Sequence, residues 1–330
     1  MEKAIIYGTG KYWRDNKGRL PCNIEIIAYA DSDEKKATSR TGLLLENKEI
    51  ITPDEIAQRE YDLLFLCTDF YFAHRIFQNL KNYNIDLGKV RFLSRMGTGK
   101  EWNYEIQEDK SLISTIDGIS IREKYLTDSD ILAEVFISNN YNIHLLEKDS
   151  VFIDVGMNVG IASLYFARYE WVSKVYGFEP FPDTYQQAVD NFTLNNASVR
   201  DKIYPKNIAL SDRDEEIEVA IGHEESGWRN IMCRTEGKRC VNVVSRKASA
   251  EIGEIISKNI GKQIILKIDT EGSEFPIFES LHEADILSDI SAVMLEYHRN
   301  PEPIIKILSA YGFKYFVVGR ESFGMIYAVK

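Results

Sequence analysis

An apolar strand that runs into a glycine-rich turn occurs twice in this chain, and that recurrence restricts the fold more than any other feature. The first copy covers Ala4–Gly10 and the second Val151–Gly160. Each opens its own alternation of strand-like and helix-like segments, the pattern of open, mostly parallel α/β sheets. A length of 330 residues accommodates two such units. The expected organisation is a small Rossmann-like α/β domain over 1–95, a helical connector over 96–149, and a larger α/β domain over 150–330.

In the first unit, strands are expected at Lys3–Tyr7, Ile24–Tyr29, Tyr61–Cys67 and Lys89–Leu93, with strand-like residues around Leu43–Ile51. Helices are expected after Gly10, from Pro53, and over Tyr71–Tyr83. In the connector, Ile131, Leu132, Val135 and Phe136 recur at helical spacing behind Asp128-Ser-Asp130, which can cap a helix start. The second unit alternates through strands at Val151–Val155, Lys174–Phe178, Ile203–Leu210, Ile264–Ile268 and Ala292–Tyr297. Between them, Glu216–Ile221 and Arg239–Val244 read as an antiparallel hairpin excursion. The chain closes with Tyr315–Val318 and Met325–Val329 joined by a short loop, an antiparallel pair at one sheet edge. Such an ending separates a methyltransferase-type sheet from the all-parallel sheet of a dehydrogenase.

Charge narrows the partners. A net charge of −11 leaves little room for a broad phosphate-binding face, so nucleic acid is not the expected partner. No run of 18 apolar residues is present and the first residues lack a cleavable leader, so no membrane span and a cytoplasmic location are expected. The four cysteines form no zinc-type cluster. Cys67 is expected in the core, and Cys233 and Cys240 could meet across the hairpin, although a reducing compartment disfavours a bond between them.

Three segments carry chemistry. The first is Val151-Phe-Ile-Asp154-Val-Gly156-Met-Asn158-Val-Gly160, at the strand end where open α/β sheets bind ligands. Gly156 and Gly160 permit close backbone approach. Asp154 would repel a pyrophosphate but suits a ligand bearing an ammonium and a sulfonium. The second is Tyr176-Gly-Phe-Glu179-Pro180, whose glutamate ends the next strand and can accept ribose hydroxyls. The third is Leu266-Lys-Ile-Asp269-Thr-Glu271-Gly-Ser-Glu274, joined at the same sheet edge by Glu296-Tyr-His298. Asp269, His298 and Glu271 are the candidate bases. Helix capping is the competing role for Glu274.

Together these segments, with Asn207-Ile-Ala-Leu-Ser-Asp212, resemble the FkbM family of methyltransferases over about residues 130–330. The resemblance implies a class I methyltransferase sheet, S-adenosylmethionine as donor, and O-methylation of a hydroxyl on a sugar, glycan or natural product. On it, Asp154, Gly156, Asn158 and Gly160 shape the methionine pocket, Glu179 holds the ribose, and Asp212 is an adenine-side contact. No metal ligand is assigned; Asp269 with Glu296 could take a divalent ion, but no motif supports it. A homo-oligomer is allowed. The N-terminal unit resembles the small Rossmann-like domain of PglD-type proteins, where Gly8-Thr-Gly10 and Asp31 would face a nucleotide or nucleotide-sugar. Alternatives are an NAD-dependent sugar-nucleotide oxidoreductase or epimerase, and a non-catalytic nucleotide-sugar-binding scaffold. Against the first, neither glycine turn carries a full G-x-G-x-x-G.

Overall fold

In the computed structural model the described residues are 1–109, 111–141, 148–220 and 240–330. The chain divides into two compact units. One comprises Met1–Gly118 and Arg122–Ile137, the other Ile119–Ile121 and Ser138–Lys330.

The first unit contains β1 (Glu2–Tyr7), α1 (Lys11–Asn16), β2 (Ile24–Ala30), α2 (Thr38–Thr41), β3 (Ile50–Ile51), β4 (Leu63–Leu66), α3 (Phe70–Leu80) and β5 (Val90–Phe92). Its five strands form an all-parallel sheet of order β3-β2-β1-β4-β5. Burial on both faces explains why β1 and β4 read as continuous apolar runs. Cys67 is buried, as its apolar neighbours indicated.

Residues 96–149 are not the helical connector read from the sequence. Among the described residues they hold three strands, β6 (Trp102–Ile106), β7 (Leu112–Ile116) and β8 (Ile119–Glu123), before a single helix, α4 (Leu126–Phe136). A signal was present in the alternation Ile119-Ser-Ile-Arg122 and in the Asp117-Gly118 turn, where both residues have positive φ. Asp128 caps α4 from inside its first turn, accepting from the backbone N–H groups of Lys124 and Tyr125.

The first unit also buries an ion pair. Arg95 donates to Glu123 at 2.8 Å and to Ser114 at 2.7 Å, and the guanidinium lies over the rings of Phe92, Trp102 and Tyr104. Burial alone would raise the Glu123 carboxyl, but Arg95 and His74 hold it down at about 2. Ser114 and Ser129 also donate to it. Removing one partner strands a buried charge, so Arg95→Met should cost about 3–5 kcal/mol of stability. Urea unfolding of the full chain reads this loss, and Arg95→Met/Glu123→Leu should recover most of it.

The second unit contains β9 (Ser150–Val155), α5 (Ile161–Ala167), β10 (Val172–Phe178), α6 (Pro182–Thr193), α7 (Ala197–Arg200), β11 (Ile203–Lys206), β12 (Ala209–Ser211) and β13 (Glu215–Ala220). It continues with β14 (Cys240–Lys247), α8 (Ala248–Ser257), β15 (Gln263–Ile268), α9 (Glu274–Glu283), β16 (Ala292–Tyr297), α10 (Glu302–Ala310), β17 (Lys314–Arg320) and β18 (Phe323–Val329). The main sheet runs β11-β10-β9-β15-β16-β18-β17, with β18 alone reversed. The closing pair lies antiparallel at one sheet edge, as expected from the sequence.

Residues 203–210, read as one strand, break into two that join different sheets. The break falls at Asn207, whose side chain donates to the carbonyls of Glu179 and Pro180. The hairpin excursion is present as antiparallel β13 and β14. The Cys233–Cys240 pairing considered from the sequence lies outside the described residues, which do not include Cys233.

One face of the main sheet meets α8, α9 and α10 through a core that includes Val151, Ile153, Leu266, Ile252, Phe278 and Leu308. On the other face Phe152 stacks on Phe166 of α5, with centroids 3.8 Å apart. Asp154 and Lys267 are on that second face by strand alternation.

Candidate active site

The C-terminal ends of β9, β10, β15 and β16 converge on a group of charged side chains. At its base is Lys267, directly opposite Asp154 in the parallel ladder and 3 % exposed. Its ammonium is 3.1 Å from Asp154 and 3.6 Å from Asp269, and it donates to the Gly156 carbonyl at 2.6 Å. Burial alone would lower the Lys267 pKa, but Asp154 and Asp269 outweigh it and the ammonium is held charged.

Above this pair the β9 turn is tightly fixed. Asp154 is fully buried and also accepts from Ser163 at 2.7 Å. Gly156 has φ +80, and a Cβ there would strike the backbone carbonyl of Asp269, so only glycine fits. The N–H groups of Gly156 and Met157 donate to Phe178 O, that of Asn158 to Glu179 at 2.9 Å, and that of Gly160 to Met157 O. Glu179 accepts from Phe181 as well and is 5 % exposed. Asn158 adopts left-handed φ +51, and its Oδ1 is buried without a hydrogen-bond partner. Asp212 lies apart from these groups in sequence and is half-exposed, with Ser211 donating to it at 3.1 Å.

The three candidate bases come together. Asp269, Glu271 and His298 place potential ligand atoms within 4.8 Å of one another, a spacing that would suit one divalent cation. His298 is held from both sides, by Glu274 at 3.2 Å through Nδ1 and by Glu271 at 3.1 Å through Nε2. Glu296 stands 3.9 Å away, and Tyr141 donates to Asp269 at 3.3 Å. One Glu274 oxygen accepts from the N–H groups of Thr270 and Gly272 in the loop before α9 while also holding His298, and it does not cap the helix.

Electrostatics assign the protons. Burial would depress the His298 pKa, but Glu274 and Glu271 raise it to about 9, so the ring is an imidazolium at neutral pH. Burial, with Asp269 and Glu274 nearby, pushes Glu271 up to about 7 despite His298. Burial and Asp269 push Glu296 up to about 8. Five carboxylates (Asp154, Asp269, Glu271, Glu274 and Glu296) face two cations, which favours a positively charged ligand.

Lys267 and Tyr141 were not indicated as site residues by the sequence, which pointed to Glu296 only as a possible metal partner of Asp269. Lys267 had a signal, a lone lysine inside the apolar strand Ile264-Ile-Leu-Lys-Ile268. Tyr141 had none. In the first unit, the Asp31 carboxylate is occupied by Thr9, by Lys36 at 2.8 Å and by the Asp33 N–H.

Residues 154–315 match the model of the Methyltransferase FkbM domain. Residues 1–91 match that of the C2185-like N-terminal domain. The hexuronic acid methyltransferase AglP of Haloferax volcanii is 27% identical over 165 residues, 49% of this chain and 63% of that protein. Methyltransferase 1 of Beauveria bassiana is 26% identical over 168 residues, 46% of this chain and 66% of that protein. The matched stretch thus spans less than two thirds of either relative. Among solved structures, the Methanococcus jannaschii fibrillarin pre-rRNA processing protein superposes with a TM-score of 0.37 and 15% identity, covering 71% of this chain and 91% of that one.

The shifted groups predict how stability of the second unit depends on pH. Glu271, Glu296 and His298 all have folded pKa values above their ordinary ones, so each binds its proton more tightly when folded. Their stabilisation is complete below the ordinary value and is lost as pH rises through the folded one. The melting temperature should therefore fall between pH 4.5 and about 9, and Glu296→Gln should flatten the decline. Calorimetric melting across that range is the check; a midpoint that climbs with pH would contradict the charge assignment.

Proposed function

We propose that the second unit transfers a methyl group from S-adenosylmethionine to a hydroxyl of a sugar, glycan or related natural product. One observation carries the choice of donor. The N–H groups of Gly156, Met157, Asn158 and Gly160 are already satisfied inside the protein, and a carboxylate is buried beneath them. A pyrophosphate needs free N–H groups at such a turn. A sulfonium and an ammonium do not, and they gain from the surrounding carboxylates. This argues against NAD at the β9 turn and favours the methyl donor that the FkbM match implies. A sugar acceptor is in keeping with the name of the Haloferax relative.

The residues present fit that donor. The buried, unpartnered Asn158 Oδ1 is an acceptor at the turn, and Glu179 offers carboxylate lone pairs for ribose hydroxyls. Asp154 acts through Lys267 to hold the turn in place, with Gly156 and Gly160 keeping its backbone compact. Asp212 is assigned to the adenine side. The donor supplies an electrophilic methyl carbon on sulfur.

The chain's own part is to aim the acceptor oxygen and take its proton. The oxygen–carbon bond forms as the carbon–sulfur bond breaks, the sulfur leaves as a neutral thioether, and the hydroxyl proton passes to a carboxylate. Asp269 and Glu271 are the assigned acceptors of that proton. Glu271, held near 7, is well matched to such a role. His298, as an imidazolium between Glu271 and Glu274, orients the carboxylates rather than acting as the base at neutral pH.

Calorimetric titration with S-adenosylhomocysteine tests the donor site. Wild type should bind in the micromolar range and Glu179→Ala should bind at least tenfold more weakly, about 1.4 kcal/mol. Asp269→Asn and Glu271→Gln should keep that binding while slowing transfer to hexuronic acid acceptors by roughly 10²–10⁴-fold. Wild type that ignores S-adenosylhomocysteine but binds NAD would overturn the reading.

A further inference from the structure

The main sheet ends in a strand without protection. All seven residues of β17, Lys314–Arg320, are exposed, and β17 pairs only with β18 among the described strands. Its centre is Tyr315-Phe-Val-Val318, with exposures of 43%, 58%, 39% and 57%. Successive side chains point to opposite faces, so both faces of the edge are apolar, and the outer backbone groups have no strand beside them. Proteins normally blunt such an edge with a bulge, an inward charge or a covering element. Here only the terminal Lys314 and Arg320 are charged.

We propose that β17 is the interface of a two-fold dimer, in which the outer edges of two copies pair antiparallel and continue the sheet. A small ligand or a helix lying on one face would cover Phe316 and Val318 but leave Tyr315, Val317 and the backbone edge open. Strand addition covers all three. A second copy presents an edge of the same length with the same unpaired groups.

Symmetry then restricts the register. The two-fold axis must be perpendicular to the sheet, which preserves faces, so only residues an even number apart can lie opposite each other. Centring the pair on Val317 would set Lys314 against Arg320, a like-charge contact. Centring it on Val318 sets Phe316 against Arg320, Tyr315 against Glu321, and Val318 against its own copy. That register has no like-charge pair and gives Arg320 an aromatic face to stack on.

The same register reaches the active site. Arg320 is paired with Phe323 across β17 and β18, so both side chains are on one face. Phe323, 54% exposed, packs edge-on against His298 at 5.5 Å, and Tyr297 donates to the Arg320 carbonyl at 2.7 Å. In the dimer, Arg320 lies between Phe323 and Phe316 of the second copy. Association thus steadies the aromatic wall beside His298 and removes it from water.

Sedimentation velocity of the full chain, with Val318→Lys and Val318→Glu, tests this. Wild type should be dimeric at micromolar concentration. Each variant places like charges across the axis and should dissociate about 100-fold more readily. An equal mixture of the two should regain the dimer mass, which a merely unfolded variant would not do. A wild type that remains monomeric overturns the proposal, as does a dimer that both variants leave intact with unchanged melting. The readout is mass alone, so this outcome is independent of whether the methyl-transfer reading holds.

Discussion

A single buried ammonium organises the second unit. Lys267 stands opposite Asp154 in the ladder, also faces Asp269, and donates to the Gly156 carbonyl. Without it, two carboxylates from adjacent strand ends would face each other in a water-poor space with no counter-charge between them. With it, the β9 turn and the end of β15 are clamped at one distance. That distance is short enough for Gly156 to lie against the Asp269 backbone. The acidic surface above can then stay partly ionised, because its nearest neighbours are already balanced.

The upper layer is arranged differently. His298 is bracketed by Glu271 and Glu274, and the excess of carboxylate pushes Glu271 and Glu296 toward neutrality. Such an excess destabilises the fold by itself. It is the state expected of a site that waits for a cationic ligand or for protons from an acceptor. The buried Arg95–Glu123 pair of the first unit contrasts with it: there the carboxylate has its counter-charge, and Glu123 is held at about 2.

Much of this was legible in the residues. The two strand-turn units, the reversed strand near the end, and the convergence of Asp269, Glu271 and His298 followed from apolar periodicity and from carboxylates placed at strand ends. The three strands between 102 and 123 were missed because the apolar spacing of α4 was extended backwards over them. The alternation Ile119-Ser-Ile-Arg122 and the Asp117-Gly118 turn were the stronger signals. The division of 203–210 depended on Asn207 bonding to the β10 turn, a contact between distant segments that no local pattern encodes.

The sequence by itself determined the two strand-turn units, the closing strand pair, and which charged side chains arrive at the shared sheet edge. Those features are local: period-2 and period-3.6 burial, glycine where φ is positive, and acids at strand ends. Only the tertiary structure decided what each charge does there. Asp154 became the partner of a buried lysine, His298 became an imidazolium rather than a free base, and β17 was left with both faces open. Protonation and exposure depend on the sum of neighbours brought together from β9, β15, β16 and β18, and that sum exists only once the sheet has closed.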